Sequence, residues 1–349
     1  MSAAGYKVHM VASGKVGENT GIVFHPLDEA SSRFRRIFFK QNQAYEIVQE
    51  IKPFILHIHD PELLFLGLRL KRTLKCRLIF DIHEYYRDQI KIKKWIRTGM
   101  LRTVTAYMYA VIEKLILKKY DGLVVAVPGL LPVYSFHPNV CLVRNSPILK
   151  TIKESDRLDS GEERKVIIYP GTLSASRGII NMVKALEYLD FPVILWLMGS
   201  WQSKREREEA ENLPGWEKVR YWGKVAPEMV YSAMKRANAG VQLLQPEGQY
   251  EKDAIDVKVL EYFTAEVPVI VSDMKNKRSF FKEAAYYVDS TDPKSIAAGI
   301  TRVLNDPVLR EKCISQGKEF IKDYSWEKEE KNLLDFYVSM NANTGNIRG

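Results

Sequence analysis

Ile168-Tyr-Pro-Gly171-Thr172-Leu-Ser-Ala-Ser-Arg177-Gly178 is the stretch on which the reading of this chain turns. An apolar run that begins at Val166 ends in glycine, a loop of small residues follows, and a cation and a second glycine open a new segment. That is the order strand, tight loop, helix, the unit from which parallel sheets are built. Such a loop lets an anion approach backbone N–H groups closely, with Arg177 as a cationic clamp. An ordinary strand-to-helix turn with a surface arginine has the same outward pattern.

The alternation of strand and helix extends both ways. Downstream, strands are predicted over residues 193–199, 219–222, 239–244, 268–272 and 285–288, with helices over 178–189, 227–236, 256–265, 293–305 and 326 to about 340. Upstream, residues 7–12, 55–59, 77–82, 122–127 and 140–143 are predicted strands, and 33–51 and 97–118 predicted helices. In the second of these helices Leu101, Val104, Met108, Val111 and Leu115 form one apolar stripe. The charged, apolar-poor run 150–164 reads as a linker. The expected organisation is an acceptor-side domain over 1–149, the linker 150–164, a second domain over 165–322, and a C-terminal helix over 323–349 packing back on the first domain. The expected fold class is α/β, two doubly wound domains facing a cleft. Ligands in such sheets bind where strands end.

Two further constellations lie at predicted element ends. In Asp253-Ala-Ile-Asp-Val-Lys258-Val-Leu-Glu261-Tyr262-Phe263 one acid precedes a helix and another lies eight positions on, with Lys258 three residues before it. A carboxylate can accept both hydroxyls of a ribose, and a helix start can hold a diphosphate. The plainer reading makes Asp253 an N-cap and Glu261 a solvent-facing residue. The other constellation is His57-Ile-His59-Asp60 with Asp81-Ile-His83-Glu84. A metal centre is not expected there, because alternating strand residues point to opposite faces and no helical H-E-x-x-H appears; structural histidines are the plainer reading of His57 and His59.

The chain has 349 residues, 46% hydrophobic and 27% charged, an ordinary globular composition that argues against a disordered or collagenous protein. Cys76, Cys141 and Cys313 are too widely spaced for a disulfide framework or zinc ribbon. No secretory pattern is read after Met1, and the uncharged run 122–143 is broken by Pro128, Pro132 and Pro138. The expected location is cytoplasmic. The net charge of +9 is uneven: residues 1–150 carry 23 basic and 12 acidic side chains. Within Arg69–Lys119 there are 14 basic and 4 acidic residues, and Trp95 is embedded in Lys91-Ile-Lys93-Lys94-Trp95-Ile-Arg97. Basic residues around an aromatic anchor suit an anionic membrane surface; they suit nucleic acid as well, or a merely solvated face.

Taken together, the stretches resemble the family 4 retaining glycosyltransferases of the GT-B fold, which has two Rossmann-like domains. The resemblance rests on Gly171–Gly178, on Lys258-Val-Leu-Glu261-Tyr262 followed by Val-Pro-Val-Ile-Val-Ser, on Asp81-Ile-His83-Glu84, on Asn145 after a strand, and on Tyr324-Ser-Trp326-Glu327. It implies a nucleotide-sugar donor held by the second domain at Gly171, Thr172, Arg177, Gly178, Lys258 and Glu261, and a glycan or lipid-linked acceptor held by the first. Glu261 matches the family's ribose-holding acid, Asp253 the acid facing the donor sugar, Arg177 the cation beside the diphosphate, and His83 the histidine near the reacting sugar. No cofactor and no metal are expected, and no nucleic acid. With that resemblance, the acceptor or membrane side is expected at Lys91, Lys93, Lys94, Trp95 and Arg97, as a peripheral contact on the inner face of a membrane.

The sequence departs from the family in places. Asp253 is one methylene shorter than the usual Glu, Thr172 stands where many relatives carry a second cation, and Glu266 where they have a helix-ending glycine. Relatives open with a strand, a Gly-Gly loop and a helix ahead of the segment like Ala4-Gly5-Tyr6-Lys7-Val8, so the first domain is expected to be incomplete at its start. That departure motivates an alternative, a non-catalytic subunit that binds nucleotide sugar or a partner transferase.

Overall fold

The computed structural model describes residues 1–14, 21–28, 33–92, 98–246, 250 and 255–342. It divides into two compact units, one of Met1–Arg144 with Glu330–Gly349 and the other of Asn145–Glu329. In the first (unit 1) the strands are β1 (Val8–Ala12), β2 (Ile22–Pro26), β3 (Ile55–Ile58), β4 (Arg77–Ile82), β5 (Gly122–Val125) and β6 (Val140–Leu142). β1 and β2 pair with each other, and the other four form a sheet in the order β3-β4-β5-β6. Unit 2 holds β7 (Lys165–Pro170), β8 (Val193–Met198), β9 (Val219–Gly223), β10 (Ala239–Gln242), β11 (Val269–Ser272) and β12 (Ala285–Val288). These form one six-stranded sheet in the order β12-β11-β10-β7-β8-β9. Every described strand pair is parallel.

The continuous apolar strands of unit 2 follow from burial on both faces. Ile167 and Tyr169 of β7 join Leu195 and Leu197 of β8 in one core layer, together with the helices Ile179–Leu186 and Pro293–Asn305. Their neighbours Val166, Ile168, Trp196 and Met198 point into the other layer, against Val259, Leu260, Tyr262 and Phe263 of the helix Val257–Thr264. The segment expected as a polar linker contributes to this second layer. Leu149–Glu154 form a short helix, and the one isoleucine among its lysines, Ile152, is fully buried.

In unit 1, Leu78, Phe80 and Ile82 of β4 fill one side of the sheet and Ile79 the other. Ile79 and Val124 are covered by Tyr337, Met340 and Phe336 of the helix Trp326–Ala342. Gly122 makes that docking close, because a Cβ there would stand 2.6 Å from the Phe336 ring. The apolar stripe of the helix Gly99–Leu117 behaves otherwise than amphipathic patterning leads one to expect. Leu101, Val104, Met108, Val111 and Leu115 are all exposed, and the core receives Ala106, Glu113, Ile116 and Leu117 instead. No described helix is long and apolar enough to cross a membrane.

The helix Val257–Thr264 ends in a left-handed cap with an unusual occupant. The Val267 N–H donates to the Tyr262 carbonyl at 3.0 Å and the Glu266 N–H to the Phe263 carbonyl at 3.2 Å, the paired bonds of a Schellman motif. Its left-handed position, at φ 59°, holds Glu266 rather than glycine. Glu266→Gly is expected to raise the unfolding free energy by about 1 kcal/mol, less roughly a few tenths for the exposed ion pair to Lys318. Urea unfolding measures this as a higher midpoint at unchanged slope; an equal or lower midpoint would show that the cap is not strained.

Candidate functional site

Counted from β7, the strand order of unit 2 reads 3-2-1-4-5-6 from its β9 edge. Chain connections therefore reverse direction between β7 and β10, and the loops that follow these two strands part to leave a crevice at their carboxyl ends. Gly171 follows β7, and Leu243 to Gln245 follow β10.

Three glycines let the backbone close around this crevice. Gly171 and Gly199 lie at φ 137° and 145°, and a Cβ on Gly199 would fall 1.8 Å from the Gly171 carbonyl oxygen. Gly178, at φ 76°, ends the turn Ala175–Arg177 and starts the next helix; a Cβ there would lie 2.1 Å from the Leu243 carbonyl oxygen. The loop after β7 is thus pressed onto the ends of β8 and β10. Thr172 is exposed in it, and its carbonyl accepts the Tyr169 hydroxyl at 3.1 Å. Arg177 is half-buried. Burial opposes its charge, but Tyr169, Tyr250 and Asp256 outweigh that and raise its pKa. Burial pushes the Tyr169 phenol up to about 12, with Arg177 acting in the opposite sense.

The helix Val257–Thr264 supplies the facing wall. Its N-cap is Asp256, which accepts the Lys258 N–H at 3.3 Å; the plainer reading had given that place to Asp253. Asp256 is held by the Gln242 side-chain amide at 2.6 Å and has the buried Lys277 ammonium at 3.9 Å. Lys258 reaches over Gly171, where a Cβ would meet its Cε at 2.4 Å and its Nζ at 3.0 Å. Glu261, almost one turn further, is half-buried rather than solvent-facing. Burial raises its pKa to about 7, opposed by Lys258 and reinforced by Asp256. Asp256 acts on both Arg177 and Glu261, so the two residues share one electrostatic neighbourhood. Gly171, Arg177, Gly178, Lys258 and Glu261 are gathered at the switch point. Sequence reasoning missed Asp256, Gln242 and Lys277; the Asp-Val-Lys spacing just before the apolar run was the signal for the cap.

Unit 1 holds a second cluster at the ends of β3 and β4. The alternation argument against shared ligands does not apply here, because His57 and His59 are two residues apart and lie on one face, as do Asp81 and His83. The rings of His57 and His59 stack with centroids 4.8 Å apart, and those of His59 and His83 at 5.5 Å. One oxygen of Asp81 lies 3.5 Å from His57 Nε2, 3.4 Å from His59 Nδ1 and 3.7 Å from His83 Nε2. Burial works against the Asp81 charge, but His57 and His59 outweigh it and hold the carboxyl well below the usual range. Burial lowers the His57 pKa. Its Nδ1 shares a hydrogen bond with the Tyr337 hydroxyl at 2.5 Å. His57, His59 and Asp81 bring ligating atoms within 4.8 Å of one another. The His57 and His59 ring planes lie only 8° apart, so their in-plane lone pairs do not converge on one ion without ring rotation. His59 and His83 are both exposed, and His83 Nε2 lies 3.2 Å from His59 Nδ1.

Lys91 pairs with Asp88 at 3.3 Å. Asp253, Lys93, Lys94, Trp95 and Arg97 lie outside the described residues.

The raised Glu261 pKa sets a pH dependence. The native state holds this proton more tightly than the unfolded chain, so the contribution to stability is fully present below the ordinary value of 4.5 and is lost as pH rises through about 7. Glu261→Gln is therefore expected to be more stable than the parent at pH 8, by on the order of 2 kcal/mol, with the difference fading below about pH 5. Thermal unfolding of both proteins across this range tests it; a constant offset would mean that Glu261 titrates normally.

Residues 150–320 match the family model described as glycosyl transferases group 1. The chain is 25% identical over 178 residues to O-antigen chain mannosyltransferase B of Escherichia coli, covering 49% of this chain and 45% of that protein. It is 23% identical over 150 residues to a phosphatidyl-myo-inositol mannosyltransferase of Mycobacterium leprae, covering 42% and 38%. The chain thus matches less than half the length of these relatives. Among solved structures, sucrose-phosphate synthase from Thermosynechococcus elongatus has a TM-score of 0.74 at 17% identity, over 98% of this chain and 91% of that one. Anabaena HepE in complex with UDP-glucose has a TM-score of 0.67 at 9% identity, over 91% and 86%. The chain has the GT-B fold, and its residues 150–320 match the glycosyl transferases group 1 family, in line with the resemblance of the sequence motifs.

Proposed function

We propose that this protein is a retaining glycosyltransferase that moves a hexose-type sugar from a nucleoside-diphosphate donor to a glycan or lipid-linked acceptor. One observation carries the reading: at the switch point of a 3-2-1-4-5-6 sheet Lys258 lies over Gly171, and Asp256 acts on both the half-buried Arg177 and the half-buried Glu261. Arg177 and Lys258 neutralise the diphosphate as it leaves, a charge that grows toward the transition state. Lys258 thereby supplies the second cation that Thr172 does not. Glu261 accepts the ribose hydroxyls; their donation favours its ionised form and draws its pKa back down. The family resemblance gives Asp253 a role toward the donor sugar and gives His83, exposed at the end of β4, a role toward the reacting sugar.

In the transfer the anomeric carbon–oxygen bond to the diphosphate breaks and a bond to an acceptor hydroxyl forms, the hydroxyl proton leaving with the diphosphate. The two cations take the role that a divalent metal plays elsewhere, so activity is expected to survive chelation by EDTA. UDP-glucose bound to HepE and the mannosyltransferase names of the curated relatives make UDP- and GDP-sugars the first donors to try.

The test is transfer across a panel of UDP-, GDP- and ADP-sugars, with nucleoside-diphosphate binding followed by thermal shift. Arg177→Ala is expected to lower kcat/KM by about 100-fold, and Glu261→Ala to abolish the thermal shift given by the cognate nucleotide. Turnover and shift equal to the parent's in both variants would remove these residues from the proposed roles.

A further inference from the structure

Eight large apolar side chains of the helix Gly99–Leu117 are exposed, from Val111 at 44% to Met100 at 82%, and Leu101, Tyr107, Met108 and Leu115 are among them. At 3.6 residues per turn the eight fall within one arc of about 140°. Packing does not account for this stripe, because Ala106, Glu113, Ile116 and Leu117 on the opposite face make the core contacts. The helix has a single carboxylate, Glu113, and it is buried on that opposite face, accepting the hydroxyls of Tyr109 at 2.8 Å and Tyr134 at 3.3 Å. The exposed side therefore carries no negative charge. Lys114 and Lys118 border the stripe at its C-terminal end, and both are exposed. A contiguous apolar patch of this extent marks a contact surface.

We propose that this face seats on an anionic bilayer, with the apolar side chains at the headgroup–acyl boundary and the bordering lysines on the lipid phosphates. Two features select a bilayer over a second copy of the chain. Isologous pairing would bring the lysines of two copies together with no carboxylate on the face to meet them, and aliphatic chains with a tyrosine beside cations match the interface. The helix lies on the membrane rather than across it, since no described helix is apolar enough to span. The inference deepens the lipid-linked reading of the acceptor, but vesicle binding is measured without donor or acceptor, so either can fail while the other holds.

Sedimentation with vesicles of phosphatidylcholine alone, and of phosphatidylcholine with phosphatidylglycerol, tests it. The parent is expected to pellet with the anionic vesicles and to be released by salt. A variant carrying Leu101→Ser, Met108→Ser and Leu115→Ser is expected to lose at least tenfold in partitioning, with an unchanged unfolding midpoint. Lys114→Glu with Lys118→Glu leaves the apolar face intact and is expected to lose anionic selectivity, which keeps the test open if the serine variant folds poorly. A parent that stays in the supernatant, or variants that pellet like the parent, would overturn the proposal. A parent dimer dissociated by the serine substitutions would also overturn it, by assigning the face to a second copy.

Discussion

No side chain can stand at Gly199 or Gly178 without displacing backbone, and the geometry of unit 2 follows from that. A Cβ at either glycine would collide with a carbonyl oxygen, of Gly171 in one case and Leu243 in the other. Carbonyls at strand ends are held by the sheet and cannot retreat as a flexible side chain would. Close approach at these points draws the loop after β7 onto its neighbours, sets the start of the helix Ile179–Leu186, and brings Arg177 to the crevice between β7 and β10. A bulkier loop would keep the strand order but leave no seat for an anion against the backbone.

The electrostatics of the crevice are built in two tiers. Asp256 is spent on the helix start and on Gln242, with the buried Lys277 close by. A buried carboxylate with such partners is less costly than an isolated one. Arg177, Lys258 and Glu261 then form the tier to which we assign the proposed nucleotide. Glu261 is the strained member, a carboxyl pushed toward neutrality by burial and by Asp256. Strongly shifted groups in crevices are where ligand or catalytic chemistry concentrates. Unit 1 shows the converse: the Asp81 carboxyl is stabilised as an anion by the imidazoles around it.

Most of the sheet framework was legible in the sequence, because parallel strands buried on both faces are unbroken apolar runs. β4, β12 and the helices Arg33–Ile51, Pro227–Arg236 and Pro293–Asn305 have the predicted limits. What escaped had weak patterning. β2 is five residues long and pairs only with β1 among the described strands. The helix Pro307–Ile321 buries Cys313, Gly317 and Ile321, a stripe whose middle member has no side chain, and Gly317 is there to admit the Phe263 ring. The helix Gly99–Leu117 was found, but its periodicity could not say which face meets the core. A buried glutamate satisfied by two tyrosines and a solvent-facing apolar stripe both run against the usual assignment. At the candidate site, the glycine loop, Arg177 and the Lys258–Glu261 pair were singled out by spacing together with the family resemblance, since spacing alone left the plainer structural readings open. The cap at Asp256 had a local signal, but its ties to Gln242 and Lys277, like the imidazole stack around Asp81, depend on side chains far apart in sequence.

The central claim is that unit 2 seats a nucleoside diphosphate at the β7/β10 switch point. The structure of the protein with bound UDP or GDP tests it most directly. The account predicts diphosphate oxygens within hydrogen-bonding distance of Arg177 and Lys258 above Gly171, and both ribose hydroxyls on Glu261. A nucleotide bound elsewhere in unit 2, or one at this crevice with its ribose turned away from Glu261, would contradict it.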